Sequence, residues 1–226
     1  MKDFYITLTF LFMFNLCLGQ ETVKKSRLLG PGIKEQFYVL KSDKNVKNGA
    51  YEAAMKNQNI ALGNYLDNKR IGHWTFFNDQ GKLIQHYNYS TKKLLYNDTS
   101  DIKNLGYTLT DSLKDGDIIT YPIKIGGYHY GLQPLTNAYK DFVKNAHLYF
   151  HQPDHLDIED IFTISADGKM IKHEVSFLYN ESIKTYTVKN NRLNEYNTDF
   201  IPGSLNGIPK TFQLIVSGMK MFFTTR

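Results

Sequence analysis

Apolar positions two apart mark much of this chain. Phe162 and Ile164, then Ile171, Val175 and Phe177, alternate as the residues of half-buried strands do, and Ala166-Asp167-Gly168-Lys169 between them tolerates a tight turn, so a β-hairpin is predicted. From Phe37 to about Asn97 short aromatic stretches are separated by polar stretches containing Gly or Asn, which predicts a meander of hairpins. Lys47-Asn48-Gly49-Ala50-Tyr51 lines up with Arg70-Ile71-Gly72-His73-Trp74 at a period of about 23 residues, within the range of repeat arrays. After this meander the pattern weakens. Residues 101–117 are polar with scattered leucines, and Ile118 to Ile125 reads as a strand pair around Pro122. From Thr136, a candidate cap, to Ala146 the apolar spacing becomes three and four, which predicts a short amphipathic helix. The stretch Glu181 to Tyr196 suits a second helix, although its β-branched Ile183 to Val188 suits a strand equally well. A Pro- and Gly-containing loop, Phe200 to Pro209, leads into a last strand, Lys210 to Phe223.

The N-terminus changes the picture of where the chain works. One basic residue and then a largely apolar run from Phe4 to Gly19 have the length of a signal peptide, short of the roughly 20 residues a spanning helix needs. Cys17 and Gly19 occupy the minus-three and minus-one positions of a cut before Gln20, so residues 1–19 are expected to be removed. Because Cys17 is the single cysteine, the remaining chain holds no disulfide, which favours a bacterial periplasm over a eukaryotic secretory route and makes the sequons at Asn88, Asn97 and Asn180 chance matches. The net charge of +5 is spread along the chain without a basic cluster, so nucleic acid is not an expected partner.

The unit from Gly63 to Tyr89 resembles the bacterial variant of the MORN repeat: Gly63-Asn64-Tyr65 as a Gly-x-Tyr strand, Gly72-His73-Trp74 closing a polar turn, an aromatic strand, then Gly81-Lys82 and an aromatic return strand. The resemblance implies stacked hairpins that need a neighbour to cover their aromatic face. Further on, Phe162 to Lys169 and Phe200 to Pro209, with the strand after them, resemble the C-terminal domain of TonB-family proteins. That resemblance implies a small α+β domain whose last strand lies at a sheet edge and accepts an extended partner by main-chain pairing. The chain departs from an energy transducer, which needs an uncleaved membrane helix and a long Pro-rich spacer; six prolines in all do not supply one.

Candidate chemistry is sparse. His147, His151 and His155 fall four apart, as metal ligands on one helix face do, but Pro153 would end a helix before His155 and solvated polar residues explain the segment as well. Pro202-Gly203-Ser204 lacks the strand-turn-helix setting of a nucleophilic serine. His73 and His86 lie within aromatic strands, where a sheet-surface role is the simpler reading.

The expected fold is thus mainly β with α+β character: a signal peptide over 1–19, a linker over 20–36, a MORN-like meander over 37–97, a connecting segment over 98–131 and a TonB C-terminal-like domain over 132–226. The expected function is non-enzymatic binding of an extended segment of an envelope protein in the periplasm, with no cofactor and membrane contact only through partners. The partner-binding residues are expected to be Thr211, Phe212, Gln213, Leu214, Ile215 and Val216 in the last strand, with Trp74 and Phe76 as an exposed recognition row. The alternative from a different class is a small metal-dependent enzyme built on the histidine segment.

Overall fold

The computed structural model describes residues 20–30, 32–98, 105–136, 155–179, 182–188 and 198–222. The expected signal segment, most of the predicted helix after Thr136, and the residues at positions 147 and 151 lie outside them. The architecture is mainly β.

Seven strands form the first sheet: β1 (Thr22–Gly30), β2 (Ile33–Leu40), β3 (Lys47–Met55), β4 (Gln58–Leu66), β5 (Lys69–Phe77), β6 (Leu83–Asn88) and β7 (Lys93–Asn97). Each pairs antiparallel with its neighbour in sequence, so the sheet is a pure meander. It begins earlier than Phe37: residues 22–30 and 33–36, expected as part of a linker, are β1 and the first half of β2. Two of its turns are two-residue loops, Lys56-Asn57 and Asp67-Asn68, with all four φ angles positive. That geometry twists the hairpin as its strands require, and Asn tolerates it.

One face of the meander carries a ring cluster. The Trp74 ring lies 5.0 Å from Tyr51 and 5.3 Å from Tyr65, and Trp74 and Phe76 are wholly buried. The indole fits because residue 63 is glycine; a Cβ there would stand 2.2 Å from indole carbons. Beneath the rings Glu35, also buried, accepts a 2.6 Å hydrogen bond from the Tyr51 hydroxyl and pairs with Arg27, with the Lys47 ammonium 3.9 Å away. A buried carboxylate needs such donors.

The remaining elements follow in chain order: β8 (Leu105–Leu109), β9 (Ile119–Thr120), β10 (Ile123–Lys124), a π-helical turn (Gly127–Leu132), α1 (Gln133–Thr136), β11 (His155–Ile164), β12 (Met170–Tyr179), β13 (Ser182–Thr187), β14 (Phe200–Ile201), β15 (Ser204–Leu205), β16 (Ile208–Pro209) and β17 (Phe212–Phe222). A five-stranded antiparallel sheet has the order β13-β12-β11-β17-β8. The predicted hairpin is β11 and β12. Residues 182–187, one of the two places where a helix was entertained, are instead β13: Ile183, Thr185 and Thr187 are β-branched and pair along the edge of β12.

The segment expected merely to connect the two regions is structural. Ile125 and Tyr130 belong to the meander core, with the Tyr130 ring stacked 5.4 Å from Phe76, while Leu132 and Leu135 pack against Phe162, Ile164, Leu214 and Val216 of the second sheet. The π-helical turn therefore covers the aromatic face that the short meander could not cover alone. The two stretches that carry the TonB-like resemblance also meet: the Phe200 N–H donates to the Gly168 carbonyl at 2.8 Å, and a Cβ on Gly168, whose φ is 79°, would fall 2.3 Å from the Phe200 carbonyl oxygen. Only glycine fits that turn.

Candidate binding edge

The structure closes the site expected in the last strand. Phe212 pairs with Ile164 on one side and Leu109 on the other, and pairing on both sides continues to Val216, opposite Asp160 and Leu105. Phe212, Leu214 and Val216 are buried, Gln213 and Ile215 are half-buried, and Thr211 is exposed just before the strand. The Gln213 side-chain amide oxygen accepts a 3.1 Å hydrogen bond from the Thr108 hydroxyl. Residues 212–216 thus have no free edge for an incoming strand, because β8, from a stretch without a readable motif, occupies it. Trp74 and Phe76 are corrected likewise: both are core residues and form no exposed row. The strand is bent at Gly218, whose φ is 89°, and its register with β11 shifts between Ile158 and Asp160.

The histidine segment yields less. The residues at 147 and 151 lie outside the described residues, and His155 opens β11 with its ring 6.3 Å from that of Tyr179. Among the described residues no group of three or more His, Cys, Asp or Glu side chains could hold a metal. His73 and His86 meet on the solvent face of the meander, Nδ1 to Nε2 at 2.9 Å, with the Asn88 amide 3.2 Å from the other nitrogen of His73.

A second buried acid lies in the five-stranded sheet. Asp160 on β11 pairs with the His173 ring at 2.5 Å, and both are buried between two apolar clusters. Burial pushes the Asp160 carboxyl up to about 6, although the hydrogen bond from His173 acts against this. Its Oδ2 and the Nδ1 of His173 have no hydrogen-bond partner among the described residues. In the sequence Asp160 reads only as one of the acids, with Asp154, Asp157 and Glu159, that follow the histidine segment, and His173, a lone histidine among alternating apolar residues, carries no motif.

Strand edges do remain open among the described residues, and β1 is the longest. The Lys41 N–H donates to the Glu21 carbonyl at 2.8 Å, and the register Thr22 to Leu40 continues from that pair. The alternation of an antiparallel ladder then turns the main-chain groups of Val23, Lys25 and Arg27 toward β2, and those of Thr22, Lys24 and Ser26 away from it. Lys24, Lys25 and Arg27 give β1 three cations and no anion. Lys24 is half exposed and 3.5 Å from Glu52, and the Lys25 ammonium donates to the Lys44 carbonyl at 2.7 Å. Sequence reasoning missed this edge because TVKKSRLLG lacks apolar alternation; a strand exposed on one edge and much of its surface does not need it.

Compared with protein-family models, with curated proteins and with solved structures, the chain finds no match.

Proposed function

We propose that the chain is a non-enzymatic interaction module of a Gram-negative-type cell envelope, which captures an extended, acidic segment of another envelope protein by strand addition along β1. The observation that carries this reading is the outward row of main-chain groups at Thr22, Lys24 and Ser26 on an edge strand with only basic charges. An added strand would satisfy the open N–H and C=O groups, and its carboxylates would meet Lys24 and Lys25, while Arg27 stays with Glu35. The apolar N-terminal run, with its small-residue cut before Gln20, supports the envelope address. The same two lysines would also discourage two copies of β1 from pairing with each other, which keeps an open edge from becoming a route to aggregation.

Proline at position 26 tests the mechanism, because the Ser26 N–H faces away from β2 and its loss leaves the meander ladder intact. The probe is a fluorescent peptide of alternating Val and Glu. Wild-type protein and Ser26→Ala are expected to bind it in a salt-sensitive manner, and Ser26→Pro to lose at least tenfold in affinity with an unchanged thermal midpoint. Equal binding by a folded Ser26→Pro variant would sink strand addition at this edge.

A further inference from the structure

A cavity of about 480 Å³ lies where the end of the meander faces the second sheet. Its apolar walls come from separate elements: Ile84 from β6, Leu105 from β8, Leu132 from the π-helical turn and Leu214 from β17. That volume falls in the range, about 300–1,000 Å³, that encloses small-molecule ligands, and a seam between two sheets is a usual place for one.

Two features restrict what could fill it. The first is a set of three tyrosines. Tyr107 and Tyr121 stack at 4.7 Å with their planes 23° apart, and Tyr128 stands on the π-helical turn. Tyr121 is about half exposed, which places it at the mouth. No hydrogen bond joins the hydroxyl of any of the three to the described residues, although most other polar side chains of the lining are engaged. Burial raises the Tyr107 and Tyr128 hydroxyls above the ordinary tyrosine value, with Tyr121 and Asp160 respectively adding to the effect, so both stay protonated and able to donate.

The second feature is charge. Asp98 is paired with Lys82 at 2.8 Å. His129 sits 3.7 Å from Asp79 and 3.2 Å from the Gln133 amide oxygen, and the Lys124 ammonium donates to the Asp199 carbonyl at 2.9 Å. The Gln85 amide is used completely, donating to Asn97 and to the Lys124 carbonyl and accepting from the Gly126 N–H. Burial holds the Lys124 side chain well below the ordinary lysine value and the other charged groups of the lining are paired, so a charged ligand would lose its hydration here for little counter-charge. A neutral one would not.

We infer that this cavity binds a small, neutral, planar and largely apolar molecule bearing a carbonyl or hydroxyl oxygen, with the Tyr107–Tyr121 stack as its flat wall and tyrosine hydroxyls as its polar contacts. The site does not depend on the β1 edge, which lies at the opposite side of the meander from β6 and β7, so either assignment can fail alone.

Nile red, a neutral planar dye with one carbonyl, is the probe, and the anionic dye anilinonaphthalene sulfonate is the charged comparison. Fluorescence titration of the full chain is expected to show saturable binding of one Nile red per chain and no binding of the sulfonate at that site by competition. Leu105→Trp, which fills the cavity from an edge strand, should weaken Nile red at least tenfold. The double variant Tyr107→Phe, Tyr128→Phe keeps both rings and should weaken it about fivefold with an unchanged thermal midpoint. The assignment is overturned by the absence of saturable binding, by binding that Leu105→Trp leaves unmoved, by equal affinity in the double Phe variant, or by displacement of Nile red by the sulfonate.

Discussion

The meander and the five-stranded sheet solve the same problem, burying an alternating strand face, with opposite chain geometry. In the meander every strand pairs with the next one in sequence. In the second sheet the outer pairing of β17 with β8 joins Thr108 to Gln213, 105 residues apart. The interiors differ as well. The meander's buried acid, Glu35, is approached by Arg27, Tyr51 and Lys47, whereas Asp160 has His173 and leaves one carboxylate oxygen unpartnered. Local pairing lets each hairpin close a short loop; the distant pairing of β17 must close long ones before it gains anything. The meander can therefore be stable on side-chain complementarity around one ring cluster, while the second sheet depends on the whole chain being in place.

The sharpest break of that comparison is Trp74→Ala. The indole is wholly buried, touches Tyr51, Tyr65 and Tyr89, and rests on Gly63, so its removal leaves a cavity that neighbouring strands cannot collapse to fill. A loss of about 3–5 kcal/mol is expected, measured by urea unfolding followed by circular dichroism. A loss below about 1 kcal/mol would show that the ring cluster does not hold the meander together.

Legibility in the sequence follows the same division. The hairpins between Phe37 and Asn97 could be read because neighbours in sequence are neighbours in space, so a turn residue such as Asn57 or Asn68 states which strands meet. Where the pattern named a strand without its partners, as at 210–223, it could not show that β8 would close the outer side; Leu105, Tyr107 and Leu109 are half-buried residues in a short strand with no motif. The same limit hid the candidate sites. The open edge of β1 depends on the parity of its ladder, and the cavity depends on Ile84, Leu105 and Leu214 coming together from three elements. Gly63 was legible as part of a motif, but its reason, the indole lying on it, is a property of the folded sheet.

The buried acids give the next test. Because the Asp160 carboxyl is held at about 6 in the folded protein against an ordinary 3.8, the native state binds its proton more tightly than the unfolded state does. The contribution of this group is therefore greatest at low pH and is lost as pH rises from about 4 through about 6, by on the order of 3 kcal/mol. Asp160→Asn does not titrate and is nearly the same shape. The stability of the variant relative to wild type should accordingly improve by up to about 3 kcal/mol between pH 4 and pH 7, as read by urea midpoints at each pH. A difference that stays constant over that range would remove the idea that Asp160 is the strained acid of the second region.

The smallest effect concerns the segment that joins the two regions. The Tyr130 ring stacks on Phe76, and its hydroxyl donates to the Tyr51 hydroxyl at 3.2 Å and accepts from the Arg70 guanidinium at 3.4 Å. Tyr130→Phe keeps the ring and deletes only the two polar contacts. Tyr51 would still donate to Glu35, and the Arg70 guanidinium would still lie 5.3–5.8 Å from the Tyr65, Trp74 and Tyr89 rings, where cation–π attraction persists. Arg70 would nevertheless lose the Tyr130 oxygen and keep that of Tyr65, while its Nε has no partner among the described residues. A cost of about 1–2 kcal/mol in urea unfolding is expected, well below that of Trp74→Ala. A cost as large as Trp74→Ala would mean that the polar chain from Arg70 through Tyr51 to Glu35, not ring packing, fastens the connecting segment to the meander, and the difference drawn between the two regions would then lie in their buried polar groups more than in their strand order.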